Sequence, residues 1–379
     1  MTNYRTSIIK LYPTINQKYL INLTFALCSN MYNEILTNQI AIYQKYLKEK
    51  SDKTLTKNFF KNNKRDTVCA IKKRNKNYYN VDSLALEYEE KNVFMAFKMF
   101  FRKKCRYPKF KNIKDQHSYI TRKVKNNICI ENNYIRLPKL GFVKFRGLNA
   151  KFKDMTITIV KVYEDKTGNY YAHITFKEQV SDLKPIDTNP KNTVGLDFKI
   201  GTIFVSSDNT SPKYDSPYYK RLYHLKQLEK SLAKKQFDSN NRLKTVNKIR
   251  RIHKKIKNTR HDLLHKVSTY LSNSYTNISI ESLNLQDISK KLHNGTNTYD
   301  TSYSKFVKLL SYKTSGHLIK IDKWFPSTKT CCICGYKRKH MKLNTKIYYC
   351  NNCGNIIDRD LNAAINIKNE GLKILNELK

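Results

Sequence analysis

The spacing of hydrophobic positions changes three times along the chain. "RTSIIKLYPT" is an apolar-rich extended segment closed by Pro13, and it predicts an opening strand. From Gln17 to about Lys104 the spacing is helical: Leu20, Leu23, Leu27, Met31 and Ile35 mark one face, and Phe94, Phe97 and Phe101 another. Basic runs such as "KKRNKN" at 72–77 interrupt it, so an all-helical block with cationic faces is expected. After "RYPKFKN" at 106–112 the pattern shortens to alternation. "NNICIENNYIRLPKLGFVKFRG" and "MTITIVKVYEDKTGNYYAHITFK", the second a hairpin turning at "DKTGN", predict an antiparallel β unit over 106–180, compatible with a small barrel. If the first strand joins that unit, the helical block is an insertion within it.

A polar linker, "SDLKPIDTNPKN", precedes a third texture. "TVGLDFKIGTIFVSSDN" gives two β segments, followed by helices at about 216–236 and 240–272. The second helix carries Ile249, Ile252, Ile256, Leu263, Val267 and Leu271 on one side. "YTNISIESLN" is a further strand, "FVKLLSYKTSGHLIKIDKWF" reads as helix then strand, and a last helix begins near Leu361. This order belongs to an α/β domain with a mixed sheet.

At 379 residues the chain exceeds what one core usually serves, so two or three domains are expected. Seventy-three Lys and Arg against 30 Asp and Glu leave a net charge of +43, spread along the chain, which calls for a polyanionic partner. A/T-rich coding would also enrich Lys, Asn, Ile and Tyr; it would raise Glu too, and acids here stay scarce. Nucleic acid is therefore the expected partner, with some of the 27 Tyr and 17 Phe available to stack on unpaired bases. The N-terminal segment lacks a signal-peptide pattern and no stretch approaches a membrane span, so a soluble intracellular protein without membrane contact is expected.

Nine cysteines, five of them clustered, argue for a reducing compartment and a metal instead of a disulfide framework. Cys331 and Cys334, then Cys350 and Cys353, form two C-x-x-C pairs whose spacing suits four thiolates around Zn²⁺. Gly335 and Gly354 follow each pair, where a knuckle commonly needs positive φ. Cys332 is left outside the ligand set. A closed four-thiolate site has no open coordination position, so its role is structural.

Single acids end two apolar strands, Asp197 in "VGLDFKIG" and Glu281 in "NISIESLN". Asp358 and Asp360 stand at the start of the last helix, with Asp360 read at the N-cap position. Each alone is explained as a strand end or a cap. Together they form one hypothesis, since a sheet can gather strand ends and a helix start at one point. Three gathered carboxylates repel unless divalent cations neutralise them, and a pair of Mg²⁺ ions there would support phosphoryl transfer.

The ordered set "VGLDFKIGTIFVSSDN", "RHDLLHKVS", "ISIESLN", "FPSTKTCCICG" and "YYCNNCGNIIDRDLNAAINI", with "YPKFKN" and "IRLPKLGFVKFRG" upstream, resembles the TnpB family of RNA-guided DNA nucleases of bacterial insertion sequences, relatives of type V CRISPR effectors and Fanzor proteins. The resemblance implies an α+β multidomain protein. Residues 1–13 would open a wedge β-barrel, 14–105 would be an inserted helical recognition block, and 106–188 the rest of the barrel with a linker. Residues 189–325 would form a RuvC-type, RNase H-like nuclease domain, 326–355 its zinc-ribbon target-nucleic-acid-binding insert, and 356–379 its last acidic motif and helix. The three family acids fall on Asp197, Glu281 and Asp360, with Asp358 the runner-up for the third. Lys199, in "FKIG", departs from the family pattern beside that site. The implied cofactors are structural Zn²⁺, two catalytic Mg²⁺ and a guide RNA from the transposon end. The implied substrate is double-stranded DNA beside a short adjacent motif, in the cytoplasm near the nucleoid for a bacterial host or in the nucleus for a eukaryotic one.

Arg250, Arg251, Lys254, Lys255, Lys257 and Arg260, opposite an apolar stripe, form the best candidate for a phosphate-tracking helix, a solvated face being the plain alternative. Trp324 is read as a core or hinge residue before a base platform, and His261 and His265 as ordinary helix residues. Two further readings stand: a guide-directed DNA-binding protein without nuclease activity, and a transposase joining DNA ends itself, which needs the same carboxylates.

Overall fold

The computed structural model describes residues 2–56, 58–152, 155–179, 187–291, 295, 300–314, 317–341 and 345–378. It divides into two compact units, 1–180 and 181–379. Half of the expected linker, 181–186, lies outside the described residues.

In the first unit β1 (Thr2–Tyr12) ends at Pro13, and Thr14 starts a long helix, α1 (Ile15–Ser51). The Thr14 side chain accepts from the Gln17 N–H while Gln17 Oε1 accepts from the Thr14 N–H, a reciprocal capping box. Short helices α2 (Phe59–Asn62) and α3 (Val68–Arg74) lead to α4 (Ser83–Phe101). The chain then returns as β2 (Ser118–Arg122), β3 (Cys129–Glu131), β4 (Tyr134–Leu137), β5 (Gly141–Arg146), β6 (Thr156–Glu164) and β7 (Tyr170–Gln179). These form one antiparallel sheet in the order β2-β6-β7-β1-β5-β4-β3. β1 pairs with β7 from Thr2↔Gln179 to Leu11↔Tyr170, so the helical block is inserted between the first strand and its sheet.

One expectation changes. Among the described residues β2 and β3 pair on one side only, so the sheet is open where a closed barrel was expected; three-residue β3 offers little edge to close on. The inserted helical block shares its core with the sheet. Ile21, Phe25, Met31, Ile35, Val93 and Phe97 share one core with Val143, Val160 and Ile174 of the sheet. Asp82, which caps α4 through the Leu84 N–H, also accepts from the Thr121 hydroxyl of β2. The boundaries near 13 and 105 are topological.

The second unit is built on β8 (Thr193–Lys199), β9 (Ile203–Ser206), β10 (Asn277–Glu281) and β11 (Leu318–Ile321), in the order β11-β10-β8-β9. β10 is parallel to β8 and β11, and β9 is antiparallel to β8, the mixed sheet expected. Between β9 and β10 run α5 (Tyr219–Ala233) and α6 (Asn240–Ser274); α7 (Leu285–Lys291) and α8 (Tyr303–Lys313) follow β10. Val194, Leu196, Ile278 and Ile280 of the strands pack with Leu264 and Leu271 of α6 and Phe306 and Leu310 of α8.

After β11 come β12 (Ile347–Tyr349) and β13 (Ile356–Asp358), an antiparallel pair, and then α9 (Arg359–Glu377). The ribbon's second strand thus runs to Asp358, three residues past the expected boundary at 355. α9 crosses the sheet in close contact. A Cβ on Gly195 would lie 2.1 Å from the Ala364 carbonyl, and one on Gly371 would lie 1.9 Å from Ser279 Oγ. Only glycine permits either approach.

Candidate active site and metal centre

β8 is buried along Thr193–Asp197, and its apolar run delivers Asp197 to the sheet's carboxyl end, where it is only 8% exposed. β10 runs parallel beside it and ends at Glu281. α9, held to β8 through Gly195, brings Asp360 into the same field. Burial pushes the Asp197 carboxyl well above the usual carboxylate range, and the Glu281 and Asp360 carboxylates add to the rise. Burial also raises Glu281, against a hydrogen bond donated to its Oε1 by Ser327 Oγ. At Asp360 burial is outweighed: Lys199 Nζ lies 2.9 Å from Oδ2 and Arg359 Nη2 3.1 Å from Oδ1, and together they hold the acid below its ordinary value.

Asp358, not Asp360, caps α9. Its Oδ1 accepts from the N–H groups of Asp360 (2.9 Å) and Leu361 (3.0 Å), which corrects the cap position read from sequence by two residues. The helix starts two residues earlier than its apolar pattern suggested because β13 feeds it directly. That leaves the Asp360 carboxylate available for other contacts. The three carboxylates interact electrostatically, yet among the described residues they do not converge within 4.8 Å of one another as the cysteines do.

The sulfurs of Cys331, Cys334, Cys350 and Cys353 all lie within 4.8 Å of one another and could hold a metal ion. Cys331 and Cys353 stand 3.7 Å apart and Cys334 and Cys350 3.5 Å, near the ~3.8 Å edge of a tetrahedron with Zn–S bonds of about 2.3 Å. The two knuckles are alike: Gly335 donates to the Cys331 carbonyl and Gly354 to the Cys350 carbonyl, each at 3.0 Å, with φ of +75° and +69°. The Cys334 thiol is pulled down to about 6, chiefly by a backbone hydrogen bond from Tyr336.

Sequence reading missed how the ribbon is fastened. Asn362 Oδ1 accepts from the Cys332 N–H, and Asn362 Nδ2 donates to the Thr330 carbonyl. Asn366 Nδ2 donates to the carbonyls of Ser327 (2.8 Å) and Thr330 (2.6 Å). Two buried asparagines one helical turn apart therefore clamp the segment that holds Glu281. Their i, i+4 spacing in "NAAIN" was the available signal.

On α6, Arg250, Arg251, Lys255 and Lys257 are exposed and Lys254 half-buried. Arg260 departs from the set: its guanidinium is paired with buried Asp300, forty residues on, which also accepts from the Tyr214 hydroxyl. His261 and His265 face each other at 3.1 Å, and burial, His261 and Lys313 bring His265 down to about 4. Trp324 is 80% exposed, which corrects the core reading; it follows β11 on a turn. No helix among the described residues is long and apolar enough to cross a membrane.

Comparison with known proteins adds sequence-level kinship to this geometry. A family model described as "Probable transposase" matches residues 173–292, which include Asp197 and Glu281, and one described as "Cas12f1-like, TNB domain" matches 303–367, which include the four cysteines and Asp360. A Streptomyces pristinaespiralis protein named "Putative RNA-guided DNA endonuclease" is 27% identical over 298 residues, 77% of this chain and 72% of the relative. "TnpB-like protein L770" of Acanthamoeba polyphaga mimivirus is 31% identical over 239 residues, 58% of this chain and 44% of the relative. Among solved structures, the fold is similar to a chain of a Cas12f1–sgRNA–target DNA complex, with a TM-score of 0.61 at 12% identity over 97% of this chain and 99% of that one. Two family models and the curated relatives, together with a shared fold, support a TnpB-family protein.

Proposed function

We propose that this protein is an RNA-guided DNA endonuclease that hydrolyses phosphodiester bonds at a RuvC-like centre formed by Asp197, Glu281 and Asp360. The observation that carries the reading is the buried Asp197 carboxylate, whose charge is opposed by burial and by two further acids. Such a group suits a site completed by cations. The donors are all carboxylate oxygens, the set that Mg²⁺ prefers. Asp197, Glu281 and Asp360 would hold two Mg²⁺ ions, which when bound supply a water nucleophile at neutral pH and stabilise the departing oxygen. Ser327 orients Glu281 through its hydroxyl, and Arg359 and Lys199 balance the charge of Asp360.

The four cysteines hold structural zinc in the target-nucleic-acid-binding ribbon. The first unit reads a short duplex motif beside the target, guide RNA from the transposon end occupies basic surfaces, and pairing between guide and target selects the DNA. Arg250, Arg251, Lys254, Lys255 and Lys257 contact phosphates; Arg260 serves the fold. Such a protein works among nucleic acids, in the cytoplasm at the nucleoid or in a nucleus according to host.

The protein purified with its guide RNA should linearise a plasmid carrying a matched target only when Mg²⁺ is present, and Asp197→Ala should abolish cutting with folding intact. Retained cutting by that variant would sink the assignment. A guide-directed binder without cleavage is favoured by the cations already on Asp360, and predicts stable, Mg²⁺-independent target binding with no nicking. A strand-transferring transposase accords with the first family description and predicts joining of element ends without RNA.

A further inference from the structure

Trp324 is the chain's one tryptophan, and it stands 80% exposed. A tryptophan left in water forgoes the largest apolar burial any side chain offers, so a built and exposed one calls for a partner. Its turn is closely fixed. The Trp324 N–H donates to Asp322 Oδ1 at 2.6 Å, the Phe325 N–H to the Asp322 carbonyl at 3.2 Å, and the Ser327 N–H to the Phe325 carbonyl at 2.9 Å. Lys323 Nζ lies 4.7 Å from the indole centroid, so the ring already supports a cation.

The position of the turn gives this exposure meaning. Ile321, where the segment leaves β11, is the register partner of Glu281, and Ser327, where it re-enters the protein, donates to the Glu281 carboxylate. Segment 321–327 therefore begins and ends against one acid of the proposed centre. Trp324 is three residues from each end, within roughly 10 Å of either by chain reach. The chain as a whole carries +43 net charge, and a polyanion with flat apolar bases is the ligand that an indole flanked by a lysine complements.

The geometry points to Trp324 as a stacking platform for an unpaired nucleobase of the strand entering the catalytic centre, with Lys323 at the neighbouring phosphate. The inference rests on the nuclease reading for the identity of that strand. The turn is prefixed by its own hydrogen bonds, so little ordering accompanies stacking.

Because Trp324 is the only tryptophan, its fluorescence reports this residue alone. In the full chain carrying Asp197→Ala, a single-stranded oligothymidylate of about ten nucleotides should quench it, and an abasic strand of the same length should not. In the otherwise native protein, Trp324→Ala should raise KM for single-stranded DNA about five-fold or more, as loss of one stacked base implies, with kcat held, and Trp324→Phe should restore most of it. Unchanged emission while a dye-labelled oligothymidylate binds, equal quenching by the abasic strand, or a Trp324→Ala effect confined to kcat would each overturn the platform. If the native protein cuts no DNA yet base-dependent quenching persists, the nuclease reading fails and the platform stands.

Discussion

The ammonium of Lys199 lies 2.9 Å from Oδ2 of Asp360, joining the end of β8 to the first turn of α9. The same carboxylate must give oxygens to Mg²⁺ if the proposed centre forms, so lysine and metal compete for it. Lys199 is 42% exposed in its side chain, and a pair so open to water contributes at most about 1 kcal/mol. Lys199→Ala should therefore lower the half-saturating Mg²⁺ concentration by a factor of about five or less. Titration of cleavage rate with Mg²⁺, or of Mn²⁺ binding by electron paramagnetic resonance, measures it. A rise in the Mg²⁺ requirement would show that Lys199 assists the metal instead of opposing it.

Asp197 and Asp360 should give opposite pH signatures. Folding raises the Asp197 pKa, so its contribution to stability is full below the ordinary carboxylate range and is lost as pH rises through the raised value. Asp197→Asn, tested without added divalent cations, should raise Tm at neutral pH, and the gain should vanish in acid. Folding lowers the Asp360 pKa, so its contribution holds above the ordinary range and is lost as pH falls through the lowered value. The Tm difference between wild type and Lys199→Ala should shrink in that acid window. Thermal melts across pH separate the two.

Removing the hydroxyl of Ser327 leaves half-buried Glu281 without its donor, a loss of about 1.5–3 kcal/mol for a hydrogen bond to a charged group. Ser327→Ala should lower Tm by several degrees and weaken Mn²⁺ binding, and Ser327→Thr should recover both. Equal Mn²⁺ binding in wild type and Ser327→Ala would show that the hydroxyl does not orient the acid.

Zinc content should be one ion per chain by elemental analysis and should fall to none in Cys334→Ser. Because Asn362 and Asn366 are fastened to the ribbon's first knuckle, loss of the metal should also reach Glu281. Divalent-metal binding at the carboxylates should weaken in that variant even before unfolding.

Gly195→Ala places a Cβ 2.1 Å from the Ala364 carbonyl and 2.5 Å from the Lys368 amide, both backbone atoms of α9. The helix must move, at a cost of about 3 kcal/mol or more. A glycine such as Gly141, with nothing within 4 Å of an added Cβ but φ of +67°, should lose only about 1 kcal/mol on the same change. Chemical denaturation of the two variants tests the contrast.

The placing of Asp197 and Glu281 at neighbouring strand ends of the candidate centre was legible because short apolar strands announce themselves and end where a lone acid stands. The two cysteine pairs are equally local signals. What escaped reading depends on residues far apart in sequence. Arg260 looked like a phosphate contact because its partner Asp300 lies forty residues away. Asp360 looked like the cap because the helix pattern begins at Leu361, whereas β13 lets Asp358 take that role. Trp324 looked internal because tryptophan is usually covered and Phe325 and Pro326 follow it, whereas the fold leaves it 80% exposed on the turn that Asp322 fixes. Periodicity showed the helical block but not the core that it shares with the strands.

The fit of α9 against Gly195 and Gly371 also sets an order of assembly. The faces of β8 and β10 that wait for this helix end at Lys199 and Glu281, well before it starts at Arg359, and until it docks they remain an uncovered apolar surface. A nascent or prematurely terminated chain would carry two of the three acids, no cap at Asp358 and no clamp on the ribbon. If the proposed centre does the cutting, such a chain could hold nucleic acid on its basic surfaces but could not cut it, and hydrolytic competence would arrive only with α9.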